Sequence, residues 1–296
     1  MRVAIIGCGY VGLALARRLV ADGHDVIGVR RSRDRLDEIE AIGAAGAVAD
    51  LTDVTTLRTV PAVDVLVVSA SAAGGDAKAT RRLLVHGLSA SIAHFGERER
   101  PPNRVVYTST TGVYGDYNGA WVDETTRLAP TSPKTAVLAE AELTCREEAV
   151  RYGMDPVIVR LGGVYGPDRY RISAYLSKPV YPGYRNLLHR TDAAGVLARL
   201  TRGGAGDHDT VIAVDNEPVD RVRFVRWLAN ESGVTAPPAA DPGELLSDPD
   251  RSFTSKRRLF ESKRCDNARL QSLGYEFVYP TFRDGYAEAV TSYRRS

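Results

Sequence analysis

The stretch RVAIIGCGYVGLALARRLVADGHDVIGVRRSR, residues 2–33, decides the fold. An apolar run at 2–6 leads into the loop Gly7-Cys8-Gly9-Tyr10-Val11-Gly12, which opens an amphipathic stretch and is followed by a second apolar run at 25–29. Glycines at this spacing allow a tight turn, close approach of the backbone to a pyrophosphate, and binding of that group at the helix N-terminus. The stretch therefore predicts a dinucleotide-binding βαβ unit rather than a purely structural glycine turn. Its cofactor-binding candidates are Gly7, Gly9, Tyr10, Val11 and Gly12.

Short apolar runs alternate with helical patterns through the first two thirds of the chain. Such alternation is typical of a parallel sheet covered by helices on both faces. The predicted strands are 2–6, 25–29, 46–49, 64–69, 104–109 and 156–160. The predicted helices are 11–22, 34–41, 75–95 and 133–152, the last with a Ser132 cap before Pro133. The fold class is therefore α/β, a Rossmann-type doubly wound parallel sheet.

The pattern becomes irregular after Gly166. A helix near 191–202, a strand near 210–214 and a helix near 218–232 are predicted there, with an exposed Pro/Gly/Asp-rich loop at 236–250. We interpret residues 1–165 as a cofactor-binding Rossmann domain and residues 166–296 as a small C-terminal substrate lobe. Strands and helices of the lobe are expected to return to the core, so that the two form one continuous structural unit.

Composition excludes several classes of protein. The 296 residues carry 39 Lys+Arg against 37 Asp+Glu, a net charge of +2, and are 44% hydrophobic. Collagenous, disordered and disulfide-scaffold proteins are excluded, and so small a net charge attracts neither nucleic acid nor anionic lipid. No run approaches the roughly 20 apolar residues of a membrane span, and no secretory signal pattern is present. We expect a cytoplasmic protein with no nucleic-acid or membrane partner.

The three cysteines, Cys8, Cys145 and Cys265, are far apart and odd in number. They fit neither a disulfide framework nor the spacing of metal ligands. We expect buried thiols and no metal site.

The residues after the second apolar run indicate which dinucleotide is bound. NAD-preferring proteins usually place an acidic side chain there for the ribose 2′-hydroxyl, whereas this chain has Arg30-Arg31-Ser32-Arg33. Guanidinium groups pair with phosphate oxygens bidentately and stay charged. The run predicts NADP(H), with Arg30, Arg31 and Ser32 at the 2′-phosphate, although a solvated basic turn is an alternative.

Three further motifs occur in order: YTSTTGVYG at 107–115, RLGGVYGP at 160–167 and LHRTD at 188–192. With them, most of the chain resembles the extended short-chain dehydrogenase/reductases, the NAD(P)-dependent epimerase/dehydratase-like proteins. The resemblance implies that Asp50 and Leu51 contact adenine and that Val164 lies near the nicotinamide. It also implies that the cofactor is lined by Ser69, Ala70 and Ser71. Asp50 could instead cap a helix, and Val164 could belong to the core.

The chemistry of that family rests on a Ser/Thr, a Tyr, and a Lys four residues after the Tyr. The resemblance puts Thr110 at the Ser/Thr position, with Thr111 beside it as a substitute that could also bind substrate. The Tyr-x-x-x-Lys pair is absent, because Lys134 stands where Tyr belongs and Leu138 where Lys belongs. Leu can neither bind a ribose nor stabilise a tyrosinate. The pattern is most similar to the atypical branch of the superfamily.

Two catalytic candidates could supply the proton instead. Lys134 would be a useful acid near neutral pH only if burial lowered its pKa, and it could equally be a solvated lysine on a first helical turn. Tyr114 is a second candidate and Tyr165 a further one, although tyrosines in these motifs also pack structurally.

Cations and tyrosines cluster between residues 169 and 190. In a cleft they would attract a carboxylate- or phosphate-bearing substrate, although they could also be surface charges. The candidates for substrate binding are Thr111, Arg169, Arg185 and His189. His189 has no second ligand at helical spacing, which argues against a metal.

Three hypotheses follow. The first is an NADP(H)-dependent oxidoreductase that transfers hydride to or from a carbonyl, imine or alcohol carbon of a small polar or anionic metabolite. The second is a non-catalytic NADP(H)-binding redox sensor or regulator, which the missing Tyr and Lys would suit. The third is a nucleotide-sugar epimerase or dehydratase. A homodimer is expected from the resemblance.

Overall fold

The computed structural model describes residues 1–72, 75–203, 209–241, 243 and 261–295. Its strands in chain order are β1 (Arg2–Ile6), β2 (Asp25–Arg30), β3 (Ala45–Val48), β4 (Val65–Val68), β5 (Arg104–Thr110), β6 (Trp121–Val122), β7 (Asp155–Leu161), β8 (Gly163–Tyr165), β9 (Tyr184–Arg185), β10 (Leu187–His189), β11 (Thr210–Ala213), β12 (Val219–Asp220) and β13 (Arg264–Cys265). Seven of them form one parallel sheet in the order β11-β7-β5-β4-β1-β2-β3. The order reverses direction after β1 and is doubly wound, as the alternation of strands and helices predicts.

The helices are α1 (Tyr10–Ala21), α2 (Asp37–Glu40), α3 (Ala77–Arg81), α4 (Leu88–Gly96), α5 (Pro133–Arg151), α6 (Ile172–Leu176), α7 (Arg190–Thr201), α8 (Arg221–Ser232), α9 (Ala268–Ser272) and α10 (Phe282–Arg295). A π-helical turn, Arg82–Gly87, joins α3 to α4, so the predicted helix 75–95 is one helical stretch. The predicted start of α5 is confirmed, because Ser132 Oγ accepts the N–H of Thr135 at 3.2 Å. A serine cap followed by a proline fixes this helix start.

Two predicted helices are shorter than the sequence suggested. The helix predicted at 34–41 shrinks to α2, because Arg35 adopts a left-handed φ of 62° that a continuing helix does not allow. The helix predicted at 218–232 begins at Arg221. Asp220 accepts the N–H groups of Val222 and Arg223 and thereby caps α8.

Apolar side chains cover both faces of the sheet. One core lies under α1 and α7, which pack against each other, and a second lies under α4 and α5. A third core gathers Tyr165, Phe224, Phe282 and Tyr286 beside α8 and α10. β11 extends the main sheet, so the chain after residue 166 contributes to the first core as well as to the third. The boundary at 165/166 stays a prediction.

Three separate two-stranded sheets are formed largely by the later segments of the chain. β8 pairs in parallel with β10, β9 pairs antiparallel with β12, and β13 pairs in parallel with β6. The predicted loop 236–250 lies outside the described residues except for 236–241 and 243. Across the described part of the chain, no helix is both long and apolar enough to cross a membrane.

Candidate cofactor and substrate site

The glycines of the first loop serve two different purposes. Gly7 has a φ of 87°, and a Cβ there would lie 2.5 Å from the backbone N of Ala70. A Cβ at Gly12 would lie 2.7 Å from the carbonyl O of Gly7. A Cβ at Gly9 would meet nothing closer than 3.9 Å. Gly7 and Gly12 are therefore required by packing, whereas Gly9 leaves open space in front of the loop.

The loop opens α1 without an acidic side chain from the first turn of that helix. The N-cap residue, Gly9, offers no side-chain bond, and the first turn of α1 has no acidic residue. The positive end of the helix dipole therefore remains available to a bound phosphate. A glycine cradle in front of a bare helix N-terminus fits the pyrophosphate of a dinucleotide.

A cavity of about 430 Å³ lies beside this loop, at the carboxyl ends of β1, β2 and β4. Six predicted cofactor residues line it: Gly7, Arg31, Asp50, Leu51, Ala70 and Ser71. The other predicted cofactor residues, Gly9, Tyr10, Val11, Gly12, Arg30, Ser32, Ser69 and Val164, are not among its lining residues. Its size and position suit the adenosine half of a dinucleotide.

Asp50 also stabilises the rim of this cavity. Its Oδ1 accepts hydrogen bonds from the backbone N–H of Thr52 at 2.8 Å and from the Thr52 hydroxyl at 2.9 Å. This Asx turn fixes the loop after β3.

Arg30 and Arg31 have different surroundings. Arg30 Nε donates to the carbonyl O of Cys8 at 2.7 Å, Nη1 donates to the carbonyl O of Arg35 at 2.6 Å, and Nη2 binds Glu38 at 2.9 Å. The bonds from Arg30, more than those from Arg35, lower the pKa of Glu38. All three nitrogens of Arg30 are therefore used within the protein, which differs from the predicted 2′-phosphate role. Arg31 is exposed and lines the cavity, so it is the better placed of the two.

Arg82 is a cavity residue that sequence reasoning missed. It is exposed on the π-helical turn after α3, on the same cavity as Arg31. Its place in the sequence could have indicated it, because the helix after β4 begins at the edge of the sheet where a cofactor would bind.

Tyr10 connects the glycine loop to the segment after β8. Its hydroxyl donates to the carbonyl O of Pro167 at 2.9 Å. The guanidinium carbons of Arg169 and Arg190 lie 4.0 and 4.6 Å from the centre of its ring. Cation–π contacts at this distance hold both arginines near the glycine loop. Arg169 therefore lies at the cofactor loop and not in the substrate cavity predicted for it.

A second and larger cavity, of about 920 Å³, opens beyond the carboxyl end of β5. It is lined by Thr110, Thr111, Gly112, Gly163, Ala174, Tyr175, Lys178, Pro179, Val180, Tyr181, Tyr184, Arg185, Asn186, Leu187, Arg221, Val225, Glu261 and Lys263. The carboxyl ends of parallel strands are where ligands bind in open α/β sheets. Of the predicted residues, Thr110, Thr111 and Arg185 meet here, and Arg169, His189, Lys134 and Tyr114 do not.

Thr110 ends β5 and caps the turn that follows. Its Oγ1 accepts the N–H of Gly112 at 3.1 Å, which starts the 3₁₀ turn Thr111–Tyr114. Thr111 is 7% exposed, and its hydroxyl contacts the Cys265 thiol. Two hydroxyl groups thus lie at the cavity wall nearest the cofactor edge of the sheet.

Four basic side chains line this cavity, those of Lys178, Arg185, Arg221 and Lys263, against one acidic side chain, that of Glu261. The guanidinium of Arg185 stacks over the ring of Tyr175 at 4.6 Å, and its buried Nε has no hydrogen-bond partner among the described residues. Burial, and then the charge of Arg185, lowers the pKa of Arg221. Two like charges in one partly buried cavity favour an anionic ligand between them.

Lys134 has a role that differs from the predicted one. Its Nζ donates to the carbonyl O of Ala72 at 3.1 Å and to that of Gly75 at 3.0 Å. It therefore anchors the segment after β4 and does not line the substrate cavity. Leu138, four residues on, packs into the hydrophobic cores beneath α5.

Tyr114 is also structural in its contacts. Its side chain is fully buried, and its hydroxyl donates to the carbonyl O of Asp123 at 2.7 Å and accepts from Arg160 at 2.7 Å. Burial raises the pKa of Tyr114. With both hydroxyl functions used, this tyrosine is not placed to protonate a substrate, contrary to the prediction. Tyr165 is likewise buried in the third core.

His189 belongs to the protein interior. It is 2% exposed, its Nδ1 accepts the N–H of Thr191 at 3.2 Å, and burial lowers its pKa to about 4. A neutral, buried ring that caps α7 does not bind substrate, so the predicted role is not supported. Within the described ranges, no three His, Cys, Asp or Glu side chains are grouped closely enough to hold a metal.

A buried charge network beside the end of β5 was not predicted. Glu142 accepts from the Ser109 hydroxyl at 2.5 Å and from Arg160 Nη2 at 2.6 Å. Glu142 and Arg160 are 3% and 5% exposed. The network ties α5 and β7 to the end of β5. Sequence spacing gives no signal for it, because the pairing depends on the sheet register.

Comparison with known proteins supports this architecture. The family model for the NAD dependent epimerase/dehydratase family matches residues 3–196. The chain is 27% identical to the protein YeeZ of Escherichia coli (strain K12) over 288 residues, which cover 94% of this chain and 96% of YeeZ.

Solved structures agree. A functionally unknown conserved protein from Silicibacter pomeroyi DSS is 27% identical, with a TM-score of 0.75 over 99% of this chain and 98% of that one. The dTDP-glucose 4,6-dehydratase DesIV from Streptomyces venezuelae, solved with NAD bound, is 22% identical, with a TM-score of 0.80 over 100% of this chain and 98% of that one. The latter likeness concerns the fold alone. On the family match, the chain belongs to the NAD dependent epimerase/dehydratase family, and it has an NAD(P)-binding Rossmann fold.

Proposed function

We propose that this family member is an NADP(H)-dependent oxidoreductase acting on a carbonyl, imine or alcohol carbon of a small anionic metabolite. The observation that carries the proposal is the substrate cavity, which is lined by Thr110 and Thr111 together with Arg185 and Arg221. Hydroxyl groups there can bind a reacting oxygen, and guanidinium groups can bind a carboxylate or phosphate.

The preference for NADP(H) is supported by the two exposed arginines of the smaller cavity. Arg31 and Arg82 both line it, and a 2′-phosphate would sit between guanidinium groups. Glu38, which follows β2 in the sequence, is bound to Arg30 and Arg35. It is therefore not available to select a ribose hydroxyl, as NAD-preferring proteins do.

A dinucleotide would be held by the loop Gly7–Gly12 and the N-terminus of α1, with the 2′-phosphate at Arg31 and Arg82. When bound, it supplies or accepts a hydride at its nicotinamide ring. The chain itself would orient the substrate oxygen at Thr110 and Thr111. It would hold the charged end of the substrate at Arg185 and Arg221, so that binding energy from the anion positions the reacting carbon.

A non-catalytic NADP(H)-binding regulator is a second candidate. The observation that favours it is Leu138, which packs into the cores where the family pattern has a ribose-binding lysine. A regulator needs the smaller cavity but no proton donor in the larger one.

The first test is a titration with NADPH and NADH, followed by NADPH absorbance with a panel of small aldehydes, ketones and imines. Each panel compound is paired with an analogue that carries a carboxylate or phosphate. We expect NADPH to bind at least about 10-fold more tightly than NADH and the anionic analogues to be turned over faster. Tight NADPH binding without turnover across the panel would favour the regulator. Conversion of a nucleotide sugar without net NADPH consumption would favour an epimerase or dehydratase.

A further inference from the structure

Lys263 is a buried lysine in the wall of the substrate cavity, and no predicted role covers it. Its side chain is 7% exposed, and its Nζ donates to the carbonyl O of Gly115 at 2.7 Å. It lines the same cavity as Thr110 and Thr111. An ammonium group has three N–H donors. The bond to Gly115 uses one of them, and two are left for an acceptor in the cavity.

Backbone bonds on both sides of Lys263 fix its position. Its own carbonyl O accepts from Asn186 Nδ2 at 3.0 Å, and Cys265 N donates to Asn186 Oδ1 at 2.7 Å. On the other side, the carbonyl O of Ser262 accepts the N–H groups of Tyr117 and Gly119. A side chain on so constrained a backbone is positioned as a catalytic group requires.

Burial makes the amine of Lys263 less basic than a solvated lysine. Burial lowers its pKa, and the charge of Arg221 adds to that effect. Cys265, Glu261 and Asp116 act in the opposite direction. Burial is the largest of these influences, so the ammonium releases its proton more readily than a solvated lysine does.

The other candidate donors are less suited. Lys134 uses its Nζ on two carbonyl groups outside the cavity, and Tyr114 uses its hydroxyl on Asp123 and Arg160. Lys178 lines the cavity but is exposed, so water solvates its charge.

We propose that Lys263 is the proton donor of the reaction and takes the place of the tyrosine missing from the family pattern. This rests on the proposed function. In the reductive direction, the carbonyl carbon receives a hydride, that is, one proton together with two electrons, from NADPH. The NADPH is thereby oxidised to NADP⁺. The C=O π pair moves to oxygen, and the oxygen takes a proton from Lys263 Nζ. The product is an alcohol, and the neutral amine regains its proton from solvent.

The test compares Lys263→Met, which removes the amine at similar volume, with Lys263→Arg, which keeps the charge but does not release a proton near neutral pH. Lys78→Met, on an exposed surface of α3, is the matched control. We expect both Lys263 variants to lose about 100-fold or more in kcat, the size of a general-acid effect, with NADPH affinity within about 2-fold of the unmodified protein. Lys78→Met should match the unmodified protein.

The pH profile gives a second readout. Turnover by the unmodified protein should fall as pH rises through the lowered pKa of Lys263, because the acid is then deprotonated. Lys263→Arg should lack that basic limb in its residual activity.

A third readout needs neither substrate nor cofactor. The chain has five lysines, so limited acetylation with acetic anhydride across a pH series, read by mass spectrometry, follows each one. Only neutral amines react, so Lys263 should become reactive at lower pH than Lys78.

Labelling of Lys263 with the pH dependence of Lys78, or no labelling at all, would overturn the proposal. Turnover by Lys263→Met within about 3-fold of the unmodified protein would also overturn it and leave the proposed function intact. Absence of turnover by the unmodified protein would refute both.

Discussion

The two cavities differ in how the chain builds them. The smaller, nucleotide cavity is lined by residues between Ile6 and Leu83, all at the ends of neighbouring parallel strands or just after them. The substrate cavity takes residues from five separated segments, the last of which contains Lys263. The first is a direct consequence of the βαβ pattern. The second depends on strand pairs and side-chain bonds between distant parts of the sequence.

The largest effect is expected from a substitution at Gly7. It tests whether this glycine is required by the packing of the protein or by the space that a ligand needs. Gly7→Ala would force a Cβ to within 2.5 Å of Ala70 N at a φ of 87°, so we expect loss of folding or of all measurable NADPH binding. Circular dichroism and isothermal titration would show this.

Gly9→Ala is the matched control, because its Cβ meets only open space. We expect an unchanged midpoint of thermal unfolding without cofactor, together with NADPH binding weakened by about 10-fold or more. If Gly7→Ala and Gly9→Ala lowered the midpoint of thermal unfolding equally, the need for close packing and the need for ligand space could not be assigned to different glycines of this loop.

The next effect is at Glu142, in the buried charge network at the end of β5. Glu142→Gln leaves Arg160 buried without a full counter-charge, which should lower the free energy of unfolding by about 3–5 kcal/mol. Denaturant unfolding with the linear extrapolation method measures it.

The double variant Glu142→Leu with Arg160→Met removes both charges and should recover most of that loss. If the single variant were as stable as the unmodified protein, the network would not be what holds α5 to β5 and β7.

Asp215 should give a smaller effect that depends on pH. Its N–H donates to the carbonyl O of Leu187 at 2.7 Å, at the wall of the substrate cavity, and burial raises its pKa to about 8. Because an unfolded Asp titrates near 4, the folded protein holds an extra proton between pH 4 and 8. The free energy of unfolding should therefore fall as pH rises through that range.

Asp215→Asn should abolish this fall, which amounts to at most about 1.4 kcal/mol per pH unit. The comparison is best made between pH 6.5 and 8, because the lowered pKa of the buried His189 produces the opposite slope at lower pH. Asp34→Asn, at an exposed position, is the control. An identical slope for Asp215→Asn and the unmodified protein would contradict the assignment.

The smallest effect sharpens the description of the nucleotide cavity. Arg31→Ala should weaken NADPH binding by about 10- to 100-fold and leave NADH binding nearly unchanged, because only NADPH carries the 2′-phosphate. Arg30→Ala should weaken the binding of both dinucleotides, because Arg30 links the Cys8 carbonyl O in the glycine loop to Glu38 and the substitution removes that link. Equal losses of NADPH and NADH with Arg31→Ala would refute the 2′-phosphate assignment.

The sequence was sufficient for the sheet and insufficient for the second cavity. The strand and helix periods, the glycine loop and the Ser132-Pro133 cap predicted the α/β fold and most element bounds, and these predictions are confirmed. The same local patterns did not reveal which arginine faces the ligand, because Arg30 is turned inward by Glu38 and Arg35. Nor did they reveal Lys263, which lines the same cavity as Thr110 although the two residues are far apart in the sequence. Cytoplasmic location, a homodimer and the lobe boundary stay predictions.

The late position of Lys263 in the sequence also has a consequence for the synthesis of the protein. Translation delivers every lining residue of the nucleotide cavity once Leu83 has been added, but Lys263, which lines the second cavity, is added about 180 residues later. A nascent chain would therefore present its nucleotide cleft long before its second cavity had all its walls. The substrate cavity would therefore be the later of the two to be completed.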